Sequence, residues 1–254
     1  LTASKALYFC QQFISNTILQ IPHSFHHVLI MILIAALTLG VLSFVVQLYK
    51  THKLLKRLLV KKIAITAKLQ EILISLGLEN RLYLIKESNL FSFCYGVLSP
   101  RIILTTELAS SLTDKELEAV LLHEKAHMKN LDPLKILLGK TVASMFFLLP
   151  IFSELNKNMV ATNELIADRF AINAQKSTSF LRGALKKILS EPQVAFATAP
   201  AISNPDHLEI RIKHIVNPSL SSKLPLSFWS IITSLLFVIA SWFILQTPVN
   251  AFHM

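Results

Sequence analysis

Glycine is scarce in this 254-residue chain, with only 5 in all. The glycine-dependent phosphate loops GxxxxGK and GxGxxG are both absent, so nothing points to a nucleotide pocket. Charge is scarce too: 16% of residues are charged and 53% are hydrophobic, a balance that suggests membrane segments. Acidic residues are outnumbered 15 to 25 by lysine and arginine, leaving a net charge of +10. Such a surplus attracts phosphate-rich partners, either nucleic acid or an anionic lipid surface. The two cysteines, Cys10 and Cys94, are far apart and in no metal-type spacing, so free thiols are expected and a disulfide framework is not. The first apolar run is too long for a cleavable secretory signal and lacks a small-residue cleavage site. The chain starts at Leu1, which leads us to expect a truncated N-terminus.

Two long uncharged runs are present, residues 28–49 and 226–245. As a helix the first would be roughly 33 Å long, enough to cross the hydrocarbon core. Trp229 and Trp242 sit near the ends of the second, where interfacial indoles are favoured. Lys50, Lys53, Lys56, Arg57, Lys61 and Lys62 crowd the exit of the first run, and Lys213 and Lys223 precede the second. Positive residues stay cytoplasmic, so both runs are read as transmembrane helices, with residues 50–225 inside and both termini outside. The basic residues then form a juxtamembrane collar facing the lipid bilayer. No nucleic-acid-binding motif accompanies them, so no nucleic-acid partner is expected.

The remaining segments are read more coarsely. Residues 1–27 form an extracytoplasmic or interfacial segment, and 246–254 a short extracytoplasmic tail. Residues 136–152 are a third apolar stretch, containing Lys140 and ending near Pro150, read as a buried or membrane-dipping helix. Residues 50–75 look helical, with one basic and one apolar face. RLYLIKES (81–88) and RIILTTEL (101–108) read as strands, with a Gly and Ser-Pro turn in FSFCYGVLSP between them. Residues 190–206 look like a loop. The expected fold class is therefore a mainly α membrane protein with a small β-sheet.

The chemistry is concentrated in LLHEKAHMKN, residues 121–130. Thr113 and Glu116 make a capping-box pattern that should start a helix ahead of it. His123 and His127 then fall one turn apart on one face, the spacing at which two imidazoles reach the same Zn²⁺. Glu124 lies beside them, placed to hold a water without being a ligand. A catalytic zinc site needs a third protein ligand. NELIADRFA, residues 163–171, supplies Glu164 for that role. Asp168, one turn later, could accept the free N–H of a ligand histidine, and Asp132 could do so from the other side. The alternative is that these carboxylates make surface pairs with Arg169 and Lys129.

HExxH followed by Asn-Glu-x-x-x-Asp resembles the gluzincin metallopeptidases. The stretch SFCYGVLSPRIILTTELASSLTDKELEAVLLHEKAHMKNLDPLK resembles the membrane-embedded metallopeptidases of the BlaR/MecR type, the antibiotic sensor-transducers, with similarity from about Tyr83 to Arg211. The resemblance implies a zincin-like cytoplasmic domain between transmembrane helices, with Zn²⁺ held by His123, His127 and Glu164 and with Glu124 as general base. It also implies a protein or peptide substrate, either a transcriptional repressor or the protease itself. Gluzincins bind substrate backbone on an edge strand, for which Tyr95–Leu98 or RIILT is the candidate. PDHLEIRIKHI (205–215) resembles the family's downstream His/Arg segment, making His207 or Arg211 a candidate oxyanion stabiliser, with a structural or lipid-facing role as the alternative. The sensor-transducers continue into a penicillin-binding domain after their last span; residues 246–254 do not, so β-lactam sensing is not expected.

The reading is a membrane-anchored zinc endopeptidase. Its rivals are an HtpX-like quality-control protease and a non-catalytic scaffold or receptor with a vestigial zinc site. The sequence leaves open whether two chains pair as a homodimer.

Overall fold

The computed structural model describes residues 23–190, Arg211 and residues 226–246. The expected interfacial segment at 1–21, the loop at 191–206, His207 and the tail from 247 lie outside the described residues. Two compact units emerge: Ser43–Thr141 with Leu155–Pro225, and Leu1–Leu42 with Val142–Glu154 and Leu226–Met254, each considered in its described residues. The architecture is mainly helical with one small mixed sheet.

The larger unit is built on that sheet, whose strands are β1 (Lys62–Ile63), β2 (Leu82–Ile85), β3 (Ser92–Tyr95) and β4 (Arg101–Thr105). Their spatial order is β1-β2-β4-β3. β2 and β4 are parallel, while β1 and β3 pair antiparallel to their neighbours. RIILT, one of the two edge candidates, is therefore internal; β1 and β3 are the edges, and of the other candidate, Tyr95–Leu98, only Tyr95 lies in β3. Leu82, Leu84, Ile102 and Leu104 point to one face, where helices α2 (Ala67–Ser75), α4 (Asp114–Lys129) and α7 (Ser179–Ser190) pack their leucines. Phe91, Phe93, Ile85 and Ile103 cluster with Leu54, Leu55 and Leu58 of α1 (His23–Leu59). The two internal strands, β2 and β4, are almost wholly buried, and β3 is buried over Ser92 and Phe93; their isoleucine and aromatic side chains pack well on such a surface.

Several boundaries differ from those expected. The helix expected over 50–75 breaks: α1 stops at Leu59, β1 pairs with β2, and α2 starts afresh after Thr66, whose hydroxyl caps Leu69 N–H. Pairing of Lys62 and Ile63 with Ile85 and Leu84 overrides local helix preference there. RIILTTEL is a strand only to Thr105, because the Thr105 hydroxyl accepts from Leu108 N–H and starts α3 (Thr106–Ser111). FSFCYGVLSP holds a whole strand before its turn. That turn passes through Gly96 at φ 98°, where a Cβ would stand 2.8 Å from the Ser99 carbonyl oxygen.

The stretch 136–152 is not one helix. α5 (Asp132–Met145) ends, and α6 (Pro150–Gln175) begins at a proline, which lacks an N–H and suits a first helical turn. Phe146, Phe147 and Leu148 at the turn are exposed rather than buried. Gly139 lets α6 approach α5 closely, since a Cβ there would collide with the Asn156 side chain.

In the smaller unit, the turn after α5 meets the first part of α1 and α8 (Phe228–Gln246). A Cβ at Gly40 would strike Met145, Ile151 N–H donates to Ser234 Oγ at 3.2 Å, and Ser227 N–H donates to Glu154 Oε1 at 2.6 Å. The side chains of 30–49 and 228–242 are largely apolar and exposed. Among the described residues, the span Ile30–Leu59 within α1 is the one long and apolar enough to cross a membrane; the apolar helix Phe228–Trp242 is shorter.

The capping box anticipated from Thr113 and Glu116 is present, and Lys187 Nζ adds an ion pair to Glu116 at 2.6 Å. Burial would raise the Glu116 carboxyl, but Lys187 and the Thr113 donors outweigh it and hold it below the ordinary range. A depressed carboxylate stabilises the fold above its unfolded pKa, and loses that contribution as pH falls through its folded value. Glu116→Ala should therefore cost about 1 kcal/mol at neutral pH, the usual worth of a cap. Thermal melts of variant and wild type in detergent should converge as the pH is lowered past the ordinary carboxylate range.

Candidate metal centre

Three helices place the cluster. The cap at Thr113 fixes where α4 begins, and its buried face then carries Leu117, Leu121 and, further on, His123, Glu124 and His127. α5 opens on Asp132, five residues after His127, across a turn in which Leu131 takes φ 53°. α6 brings Glu164 and Asp168 to the same place from its own buried face, with Ala161, Leu165 and Ala171. All six polar side chains are 7% exposed or less. They are not the solvated surface pairs weighed as the alternative.

The two imidazoles meet edge to face, with His123 Nε2 and His127 Nε2 3.0 Å apart. Glu164 Oε2 lies 3.4 Å from the first nitrogen, and Oε1 lies 3.5 Å from the second. One ligand atom from each of the three residues falls within 4.8 Å of the others. Ligands of a tetrahedral zinc at about 2.0–2.1 Å stand roughly 3.3 Å apart, so the separations suit a single ion. The donor set, two imidazoles and a carboxylate, is that of open hydrolytic sites.

Each outer nitrogen faces an aspartate, one with a hydrogen bond and one without. His127 Nδ1 donates to Asp132 Oδ2 at 2.8 Å, which leaves Nε2 as the lone-pair nitrogen facing the cluster. His123 Nδ1 lies 2.9 Å from Asp168 Oδ1, outside the angle of a hydrogen bond. Lys135 Nζ contacts Asp132 Oδ1 at 3.1 Å. Arg211 grips Asp168 with two donors, Nε to Oδ2 at 2.8 Å and Nη2 to Oδ1 at 2.7 Å. Its Nη1 stands 3.1 Å from Glu164 Oε2.

The electrostatics fit a cation. Burial pushes the Glu164 carboxyl up, but His127, Arg211 and His123 outweigh it and hold it at about 2. Asp168 is likewise buried, yet Arg211 and His123 hold it well below the usual range. Burial and Arg211 press His123 down, while Asp168 and Glu164 pull it up to about 9. Two anionic groups thus draw positive charge onto this imidazole. Glu164 Oε2 and His123 Nδ1 remain buried without a hydrogen bond. A divalent ion on the Nε2 side would take up the first of these orphaned atoms.

Glu124 is beside the ligand triad but outside it. Ser92 Oγ donates to Glu124 Oε1 at 2.8 Å, a contact the sequence reading missed. Ser92 and Cys94 alternate onto the face of β3 that meets α4, and only that strand assignment reveals it. Burial, with Glu124 and Asp132 nearby, pushes the Cys94 thiol up beyond any reactive range. It is a free thiol.

Residues 6–215 match the family described as BlaR1 peptidase M56. The chain belongs to that family. M56 is a metallopeptidase family, and the cluster of His123, His127 and Glu164 is a set that could hold its metal. A curated relative, the regulatory protein BlaR1 of Staphylococcus aureus, is 28% identical over 159 residues. The match covers 60% of this chain and 27% of the relative. The chain thus spans little more than a quarter of the relative's length.

Purified protein should hold about one divalent ion per chain, and His123→Ala, His127→Ala or Glu164→Ala should each remove most of it. Asp132→Asn should weaken binding by about tenfold or more, because the His127 orientation loses its acceptor. Metal content by mass spectrometry after dialysis against a graded chelator reads both. Full occupancy in Glu164→Ala would show that the third ligand lies elsewhere.

Proposed function

We propose that this chain is a membrane-anchored zinc endopeptidase with its active site on the cytoplasmic side. The observation that carries the reading is the convergence of His123, His127 and Glu164 on one point, with the buried carboxylate of Glu124 next to it and outside the ligand set. A purely structural metal site has no need of that carboxylate, whereas hydrolysis does.

In this reading the metal, when bound, polarises a peptide carbonyl and lowers the pKa of water. Glu124 takes the proton from the attacking water and passes it to the leaving amine. Ser92 holds Glu124 in place by donating to Oε1, leaving Oε2 to face the water. Asp132 fixes the His127 tautomer, and Asp168 steadies His123 while Arg211 steadies Asp168. Arg211 also remains a candidate for the oxyanion, although its donors face Asp168 and Glu164 in this arrangement. β3 is an edge strand among the described residues and lies beside Glu124, so it is the strand on which an extended substrate would pair.

The domain expected at 50–225 is then a gluzincin-like peptidase domain between two crossings, at 28–49 and 226–245. The grouping of the α5–α6 turn with α1 and α8 in one apolar unit supports a turn that dips into the bilayer and returns. The relative's designation as a regulatory protein supports a regulatory role, and the substrate proposed with it is a transcriptional repressor or the protease itself.

Glu124→Gln keeps size and one hydrogen bond but loses the base. Metal should stay, while self-cleavage or casein degradation in detergent falls by at least about two orders of magnitude. If that variant cleaves as fast as wild type, the mechanism is wrong. Topology has its own check. A cysteine reporter near residue 250 should label from outside, while reporters at 115 and 158 should both be protected. Opposite behaviour of 115 and 158 would make the α5–α6 segment a crossing and the proposed domain impossible.

A further inference from the structure

A cavity of about 410 Å³ opens beside the cluster, wholly within the larger unit. Its carboxylates are Glu124, Asp132 and Glu164, all members of the cluster. Its wall is apolar, with Leu55, Phe93 and Leu137 among its residues. It is also lined by two cations, Lys50 of α1 and Lys140 of α5.

The helices set where those cations lie. Asp132, Ile136 and Lys140 follow one another at four-residue steps along one face of α5. Lys140 is therefore about 12 Å along the helix from Asp132, at the far end from the metal ligands. Lys50 lies near enough for its charge to act on Lys140. Gln47 and Thr51 also line the cavity, one turn apart on the same side of α1, and add neutral donors. Both ammonium groups line the same cavity, so an anionic group bound at that end can accept charge-assisted hydrogen bonds from each.

We propose that this end of the cavity is a subsite for an acidic side chain of the peptide substrate, bound by Lys50 and Lys140. The proposal rests on the peptidase reading and names what the substrate carries. Lys50, Lys140 and Glu124 line one continuous cavity, so an extended ligand held on the lysines can reach towards the proposed scissile region. That continuity favours a peptide over a lipid headgroup. An extended peptide advances about 3.3 Å per residue. The four-carbon lysine stems reach back over part of the 12 Å. The acidic residue then falls about two to four positions from the cleaved bond.

The test uses the full chain in uncharged detergent. Quenched fluorescent peptides carry Asp or Glu at one scanned position, each matched by its Asn or Gln counterpart and by a Lys peptide. Cleavage gives kcat/KM for wild type, Lys50→Met, Lys140→Met and Lys140→Glu. Fluorescence anisotropy gives binding of the same peptides to Glu124→Gln. Wild type should prefer the acidic peptide by about tenfold at one position, as a partly buried charge-assisted contact would. Each methionine variant should bring the ratio towards one. Lys140→Glu should turn the preference towards lysine at that position, a gain that misfolding cannot produce. Equal handling of acidic and amide peptides at every position overturns the subsite, and so does a preference that survives loss of both lysines. Cleavage that responds to added anionic lipid through these lysines, and not to peptide charge, would assign them to headgroups and also overturn it. Acid-selective binding to Glu124→Gln without cleavage by wild type would keep the subsite and remove the peptidase reading instead.

Discussion

Four buried carboxylates within one small region set the terms for the larger unit. Glu124, Asp132, Glu164 and Asp168 are all 5% exposed or less. A buried carboxylate is tolerated when it is paired, hydrogen-bonded or bound to metal. Asp132 takes a bond from His127 and a contact from Lys135, Asp168 takes the fork of Arg211, and Glu124 takes the Ser92 hydroxyl. Glu164 is left with Oε2, which has no hydrogen bond and lies 3.4 Å from His123 Nε2, while its Oε1 lies 3.5 Å from His127 Nε2. The surrounding elements are arranged to make this possible. A capped start sets the phase of α4, a left-handed residue at Leu131 turns the chain into α5, and Gly139 lets α5 and α6 pack closely.

The local parts of this arrangement were legible in the sequence. Helical phase alone places His123 and His127 together, and the capping box fixes where that phase begins. Asp132 and Asp168 were also named as acceptors, because ligand histidines need a partner for the outer nitrogen. The strands were legible only as β-rich runs. Their ends were not, because Thr105 could as well continue a strand as cap a helix, and the cap prevails. β1 was invisible: two residues beside a basic amphipathic helix become a strand only when β2 is there to pair with them. The apolar stretch at 136–152 misled because composition does not show where a chain reverses, and Pro150 marks the start of the returning helix rather than the end of a buried one.

Ser92 illustrates a different limit. A serine in an aromatic run has no signature of its own. Its role depends on which face of β3 it occupies, and that follows from pairing with Leu104 on β4. The alternation puts Phe93 and Tyr95 with the aromatic cluster on one side, and Ser92 and Cys94 against α4 on the other. The edge strand therefore contributes two things at once. Its free side offers unpaired backbone groups, and its inner side holds the carboxylate proposed as base. Four residues is short for an edge strand, which limits unwanted pairing while leaving room for a peptide of a few residues.

Arg211 lies 43 residues beyond Asp168 in sequence, yet it is as buried as the histidines. Two opposing effects follow from its position. Its charge keeps Asp168 and Glu164 ionised through the neutral range, so Glu164 needs no deprotonation before it can act as a ligand. The same charge, 3.1 Å from Glu164 Oε2, would repel an incoming cation. The fork geometry resolves the conflict. Nε and Nη2 are committed to Asp168, so the guanidinium is anchored on the outer carboxylate and presents only Nη1 to the ligand. Removing the arginine would leave two buried carboxylates without that compensation, a larger penalty than the repulsion it relieves. Arg211 is therefore tied to the cluster by charge, and the integrity of the proposed active site depends on a residue well past the helices that carry its ligands.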